Sequence, residues 1–151
     1  MKPAFTVSYK VSRTLEAPLA FAYAWCTDYR SDDMRMVGSR FVRNIHEKTA
    51  RRVIWTVEGK NLPSGTEPVR VVWLRPPDAW HLETCGDGCE AVDYKLTPIG
   101  KGKTRLDMAY SQTFARKSEI KSIEHYVAEV NDHWEGYGRQ LASDYRKSLK
   151  K

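Results

Sequence analysis

An α+β fold with seven antiparallel strands and one long C-terminal helix is what this chain predicts. Three observations carry that prediction. Short segments of period-two alternation recur between turn formers, a final segment repeats apolar residues at steps of three and four, and 151 residues is the size of one domain, spanning 1–151.

Phe5, Val7, Tyr9 and Val11 alternate with Thr6, Ser8, Lys10 and Ser12, which marks a first strand with one wet and one dry face. Leu15-Glu16-Ala17-Pro18 breaks the alternation, and Pro18 suits the first turn of a short helix through Leu19, Phe21, Ala22, Tyr23 and Trp25, ending near Asp28. The charge-dense run Tyr29 to Met36 predicts a second short helix, closed by Gly38. Phe41–Ile45 and Arg51–Glu58 then read as strands joined around Glu47 and Lys48, with Val53, Trp55 and Val57 sharing a face. Asn61, Pro63, Ser64 and Gly65 make Gly59–Pro68 a loop, with a mobile lid as one use for it. Val69, Val71 and Trp73 form the next alternation until Pro76-Pro77-Asp78 stops it, and Trp80, Leu82 and Thr84 begin another. Gly86-Asp87-Gly88 and Gly100-Lys101-Gly102 are hairpin signals, leading into strands bearing Val92, Tyr94 and Leu96, then Leu106, Met108, Tyr110, Gln112 and Phe114.

Ile120, Ile123, Val127, Val130, Trp134, Tyr137, Leu141 and Tyr145 fall along one stripe of a 3.6-residue helix. Ser118 is the expected N-cap, with Glu119 in the first turn and Lys147, Lys150 and Lys151 at the far end, complementing the helix dipole. Gly136 and Gly138 each cost about 1 kcal/mol relative to alanine inside a helix, so a close approach, a bend or an interruption is expected there.

Composition narrows the function. Lysine and arginine exceed acidic residues by 25 to 19, a net charge of +6. The basic residues spread from Lys2 to Lys151 with acidic neighbours almost throughout, so no nucleic-acid partner is expected. The longest nearly apolar stretch, Ala17 to Cys26, is about half of the roughly 20 residues a membrane span requires. That leaves transient membrane contact as the available kind. Three cysteines, an odd number, and an N-terminus without a secretion signal make the cytoplasm the expected compartment.

The element order resembles the START-like superfamily, also called SRPBCC, which includes birch-pollen-allergen-like proteins, polyketide cyclases and coenzyme Q-binding proteins. Its local carriers are Leu15-Glu16-Ala17-Pro18 opening the first helix, Thr27-Asp28 closing it, the hairpin from Tyr94 through Pro98 and Gly102 to Leu106, and Gly136-Tyr137 with Leu141 in the final helix. Where relatives often carry Pro and Trp, between Tyr29 and Met36, this chain has Arg30, Asp32, Asp33 and Arg35. The resemblance implies the helix-grip arrangement, a curved sheet wrapped over the last helix around an apolar cavity. Physics points the same way, because a strongly curved sheet over one helix closes only if very large side chains fill the gap. Tyr9, Trp55, Trp73, Leu82, Tyr94, Met108 and Tyr110 fall on the predicted inner strand faces, opposite Val130, Trp134 and Tyr137, with Gln112 and the phenols available to orient a ligand.

Motifs for phosphate or catalysis fail on inspection. Gly102-Lys103-Thr104 lacks the upstream glycine of a phosphate loop, which would fall at Thr97, and Gly86-Asp87-Gly88 lacks the third glycine of a dinucleotide fingerprint. His125, Glu129 and His133 share a helix face turned from the apolar stripe, where charge pairing is the simpler reading. Cys85 and Cys89 flank a short turn with His81 on the same side as Cys85. A disulfide or partial metal site fits that geometry, but free thiols are the default for a reducing compartment. Cys26 reads as a small buried hydrophobe. No catalytic residue, metal or cofactor is therefore assigned. The expected role is noncatalytic binding, transport or sensing of a hydrophobic small molecule of lipid, polyketide or isoprenoid-like type. The alternatives are a polyketide cyclase or aromatase-like enzyme, with Tyr94, Tyr110 and Arg43 as first candidates, and a protein- or ribosome-interaction module.

Overall fold

The computed structural model describes residues 5–29, 42–58, 69–85 and 88–150. Strand β1 (Phe5–Leu15) leads into helix α1 (Leu19–Cys26), followed by β2 (Val42–Lys48), β3 (Arg52–Glu58), β4 (Val69–Arg75), β5 (Ala79–Cys85), β6 (Cys89–Gly100), β7 (Lys103–Phe114) and helix α2 (Ile123–Ser148). The strands form one antiparallel sheet in the order β1-β7-β6-β5-β4-β3-β2, so the chain's first strand closes against its last. The second short helix expected over Tyr29–Met36 and the loop at Gly59–Pro68 lie outside the described residues, apart from Tyr29.

Pro18 caps α1 from just outside, in extended conformation, rather than sitting in its first turn. At the other end the Thr27 hydroxyl and backbone N–H both donate to the Tyr23 carbonyl, at 2.7 and 3.0 Å, which satisfies an orphan acceptor and stops the helix. Strand β2 runs through Lys48, beyond the turn expected around Glu47 and Lys48. The reversal falls instead at Thr49–Arg51, where the Thr49 hydroxyl accepts the Arg51 and Arg52 amides, and a bulge between Ile45 and Glu47 absorbs the extra residue. Gly102 takes a positive φ of 69° in the β6–β7 turn, the conformation its lack of Cβ makes inexpensive.

Pleat alternation divides the sheet cleanly. Val11, Leu15, Val53, Trp55, Val72, Trp80, Leu82, Val92, Leu96, Leu106 and Met108 point inward and are buried. Fully buried Thr104 donates its hydroxyl to the Ala17 carbonyl at 2.8 Å, tying β7 to the turn before α1. One inward assignment is corrected by the register. Trp73 lies opposite His81 and Arg52 on the outer face, while Arg70, Val72 and Leu74 carry the inner face of β4. The sequence Val-Arg-Val-Val-Trp-Leu is apolar in both phases, and the alternation in phase with Trp73 is the wrong one.

Helix α2 begins four residues later than expected. Its N-cap is Ser122, whose hydroxyl accepts the His125 amide at 3.1 Å, and Ser118 belongs to a 3-10 turn over Lys117–Glu119. The buried stripe also differs from the expected one. Tyr126, Val130, Leu141 and Ala142 are its buried residues, whereas Ile123 is 50% exposed. The helix runs unbroken through Gly136 and Gly138, and open space surrounds the missing Cβ of Gly138, so no close approach requires a glycine there. Its backbone runs close along β1 and also meets α1, with no comparable approach to β3, β4 or β5. Trp25 Nε1 donating to Asp144 at 2.9 Å and Arg13 reaching Asn131 Oδ1 at 3.2 Å fasten it to α1 and β1.

Candidate functional site

Because α2 lies along one edge of the sheet, the concave face of the middle strands is bridged by side chains or left open. Cross-strand register arranges those side chains in rows. Leu74, Trp80, Tyr94, Met108 and Val11 form one row, and Val53, Val72, Leu82, Val92, Tyr110 and Tyr9 the next. The Tyr9 ring stacks on Tyr110 and Tyr126 at 5.0 and 5.5 Å, and the Trp80 ring stacks on Tyr94 at 4.7 Å and meets Tyr23 edge-on at 5.9 Å. These contacts fill the end near α1 and the strip beneath β1.

Tyr94 behaves differently. Burial first, then the charges of Tyr110, Tyr29 and Glu90, push its phenol well above the usual tyrosine range, yet the side chain keeps accessible surface. Tyr110, Trp134 and Tyr137 are likewise only partly buried. Burial and the Glu90 charge push Tyr110 up to about 12, so both phenols remain protonated donors at neutral pH.

The next row toward the β5–β6 hairpin is polar. Arg70, Thr84, Glu90 and Gln112 are successive cross-strand neighbours on β4, β5, β6 and β7, with Trp55 at one end and Val7 at the other. Gln112 Nε2 donates to Glu90 Oε2 at 2.6 Å. Burial lowers the Arg70 pKa, partly offset by Glu90, and Tyr94 and Tyr137 lie near enough to act on it. Buried Arg43 places its guanidinium 5.0 and 4.8 Å from the Tyr29 and Trp55 ring centres, a desolvated cation–π arrangement at the β2–β3 side.

No family model and no curated protein matches the sequence. Solved structures match its fold. Norcoclaurine synthase from Thalictrum flavum, in complex with dopamine and hydroxybenzaldehyde, superposes with a TM-score of 0.70 at 9% identity, covering 93% of this chain and 88% of that one. An aromatase/cyclase from Streptomyces sp. R1128 gives 0.66 at 9% identity, covering 96% of both chains. A conserved protein from Geobacillus kaustophilus gives 0.59 at 13% identity, covering 91% of this chain and 96% of that one. The chain has the START-like fold. At such identities the likeness extends to the backbone and leaves the ligand open.

Within this START-like frame the anticipated lining residues separate into groups. Tyr9, Trp55, Leu82, Met108 and Val130 are buried core. Tyr94, Tyr110, Gln112, Trp134 and Tyr137 keep accessible surface, and Trp73 is on the other side of the sheet. Arg70, Thr84 and Glu90 were missing from the expected set. Carrying the parity of Val92, Tyr94 and Leu96 back two residues reaches Glu90, and the parity of Leu82 forward reaches Thr84. Arg70 was hidden by the misread phase of β4.

The outer face of the START-like sheet holds its own features. Between Lys10 and Asp93, the small residues Ser8, Ala91, Ala109 and Ser111 leave a shallow depression of about 330 Å³. Cys85 and Cys89, opposite one another in the register, are disulfide-bonded with Cα atoms 4.1 Å apart, which corrects the expectation of free thiols. Cys26 is unpaired and partly buried, and burial raises its thiol pKa. No group of three or more metal-ligating side chains occurs among the described residues. His125 Nε2 lies 2.7 Å from a Glu129 carboxylate oxygen one turn along the helix. No described helix is long and apolar enough to cross a membrane.

His81, beside Trp73, meets Asp93 at 2.6 Å and Glu83 at 3.1 Å. Burial alone would lower its pKa, but the hydrogen bonds and charges of Glu83 and Asp93 outweigh it and the net shift is upward from 6.5. A raised folded-state pKa stabilises below the unfolded value and loses that contribution as pH rises through the folded one. His81→Asn is therefore expected to cost more stability at about pH 5.5 than at about pH 8.5, the contribution fading as the folded-state imidazole loses its proton. Urea melts at the two pH values check this; equal losses would remove the ion pairs from the stability of the sheet.

Proposed function

We propose that this chain binds a hydrophobic small molecule between the concave sheet and α2. The observation that carries the reading is geometric: Tyr94, Tyr110, Trp134 and Tyr137 are all only partly buried, and the backbone of the helix keeps its distance from the middle strands. Partly buried Tyr110, Trp134 and Tyr137 would supply contact area, and affinity would come from desolvating the ligand at about 25 cal/mol per Å² of apolar surface. The cytoplasm remains the proposed compartment, and carriage or sensing the proposed use.

The test is native mass spectrometry and solvent extraction of the purified protein, joined to titration with a broad set of apolar dyes and lipids. Salt-insensitive uptake of apolar compounds is expected. Absence of any bound or bindable apolar compound across the set would defeat the reading.

A second reading, an enzyme of cyclase or synthase type, is favoured by one observation: a cation, a carboxylate and two high-pKa phenols face the same space. Glu90 would be the base and the phenols the proton donors. Turnover of a reactive polyketide-like chain that is abolished by Glu90→Gln, with binding retained, would promote it over the carrier reading.

A further inference from the structure

Val69, Cys85, Cys89 and Thr113 are successive cross-strand neighbours on β4, β5, β6 and β7. They lie one residue outside the polar row of Arg70, Thr84, Glu90 and Gln112, on the opposite face of the sheet. The disulfide therefore ties β5 to β6 at the last register pair before their turn, where a hairpin frays most easily.

Three observations mark the bridge as exchangeable. Both cysteines are exposed, so a thiolate in solution can reach either sulfur. The bridge spans a sequence separation of only four, which constrains the unfolded chain little, and the buried pair Leu82 and Val92 holds the same two strands together further in. Cys26, the third cysteine, sits half-buried on α1 with its thiol pKa raised by burial, so it does not compete for the bridge. Exposed disulfides are the labile and regulatory ones, and in the reducing compartment proposed for this chain they are typically transient or redox-sensing.

The candidate site is one residue away. Glu90 follows Cys89 directly, receives the Gln112 amide at 2.6 Å, and its charge acts on Arg70, Tyr94 and Tyr110. On the other side of Cys89, Gly88 lies so close to the Thr113 carbonyl that no Cβ would fit, which docks this end of β6 on β7. We infer that Cys85 and Cys89 form a thiol–disulfide switch: exchange with a dithiol opens the end of the β5–β6 hairpin without unfolding the sheet and weakens the hold of the neighbouring site on its ligand. The ligand half of this inference rests on the cavity reading above. In the exchange, a thiolate of the dithiol attacks one sulfur, the Cys85–Cys89 bond breaks, and the displaced sulfur leaves as a thiolate. The second thiol of the reductant then resolves the mixed disulfide, so two electrons pass to the chain, its two sulfurs end as thiols, and the dithiol ends as a disulfide.

The test equilibrates the full chain, without denaturant, in graded ratios of reduced and oxidised dithiothreitol and reads each cysteine by alkylation and mass spectrometry. Cys85 and Cys89 should be alkylated together while Cys26 stays protected and the circular dichroism of the fold is retained. Amides from Leu82 to Val92 should then exchange hydrogen at least about tenfold faster than in the oxidised chain, with those of α2 unchanged. Nile red should bind the reduced chain at least about fivefold more weakly, the low end of coupling between two sites, and saturating dye should shift the reduction equilibrium by the same factor. The double variant Cys85→Ser, Cys89→Ser should bind the dye as the reduced chain does and ignore dithiothreitol. Reduction that occurs only in urea, or that leaves the hairpin amides unchanged, overturns the switch. Hairpin opening with unchanged dye affinity overturns the ligand control while the cavity stands. If neither form binds Nile red, the cavity reading and the ligand control fall together, and the alkylation and hydrogen exchange decide the switch by themselves.

Discussion

Leu141→Ala is expected to lower the unfolding free energy by about 3 kcal/mol, within the roughly 2–5 kcal/mol seen for large-to-small changes at fully buried sites. Leu141 is 0% exposed on α2, while Ile123, on the same predicted stripe, is 50% exposed. Ile123→Ala should therefore stay within about 0.5 kcal/mol of the parent. Urea unfolding of the pair measures how firmly the helix is seated. A loss below about 1 kcal/mol at Leu141 would mean that the helix docks through α1 and β1 contacts such as Trp25–Asp144 and not through its apolar face.

That contrast also shows where sequence reading reaches its limit. Val130, Leu141 and the long helical period were legible because an amphipathic helix writes its core contacts at regular spacing. The start of the helix was not, since Lys117-Ser118-Glu119 and Ser122-Ile123-Glu124 both look like capped N-termini. Tertiary contacts favour the second: the buried Tyr126 ring stacks 5.5 Å from Tyr9, and its hydroxyl accepts the Lys121 amide at 2.8 Å. Such an outcome depends on β1, more than a hundred residues earlier in the chain.

The candidate site was legible to a similar extent. Tyr94, Tyr110 and Gln112 follow from alternation within β6 and β7, although every residue of β7 after Met108 is half-buried and parity alone carries the reading there. Arg70 lies on a strand otherwise apolar in both phases, and a half-buried arginine there makes sense only once register sets it in line with Thr84, Glu90 and Gln112. No single segment contains that row. It is a property of four strands in register, which is why a search for contiguous motifs passes over it. The disulfide between Cys85 and Cys89 is a case of the same kind: the spacing permits it, and direct cross-strand opposition brings it about.

Trp80→Ala should have the largest effect of all, about 3–5 kcal/mol of destabilisation, because the indole is 2% exposed and joins three parts of the molecule. It stacks on Tyr94, meets Tyr23 of α1 edge-on, and sits in the sheet row with Met108 and Val11. Tyr23 also donates to the Ala79 carbonyl at 3.3 Å, so α1 is anchored beside the same residue. Removing the indole would leave a void directly beneath the ring that lines the proposed cavity. If the space above Tyr94 is open, Tyr94 can drop into the vacancy, and the enlarged cavity should take a bulkier apolar dye more tightly than the parent does while the variant melts earlier. A solid interior predicts the same loss of stability with no change in dye affinity. Measured together, a urea melt and a dye titration on this one variant therefore separate a gripped helix over empty space from a gripped helix over packed rings.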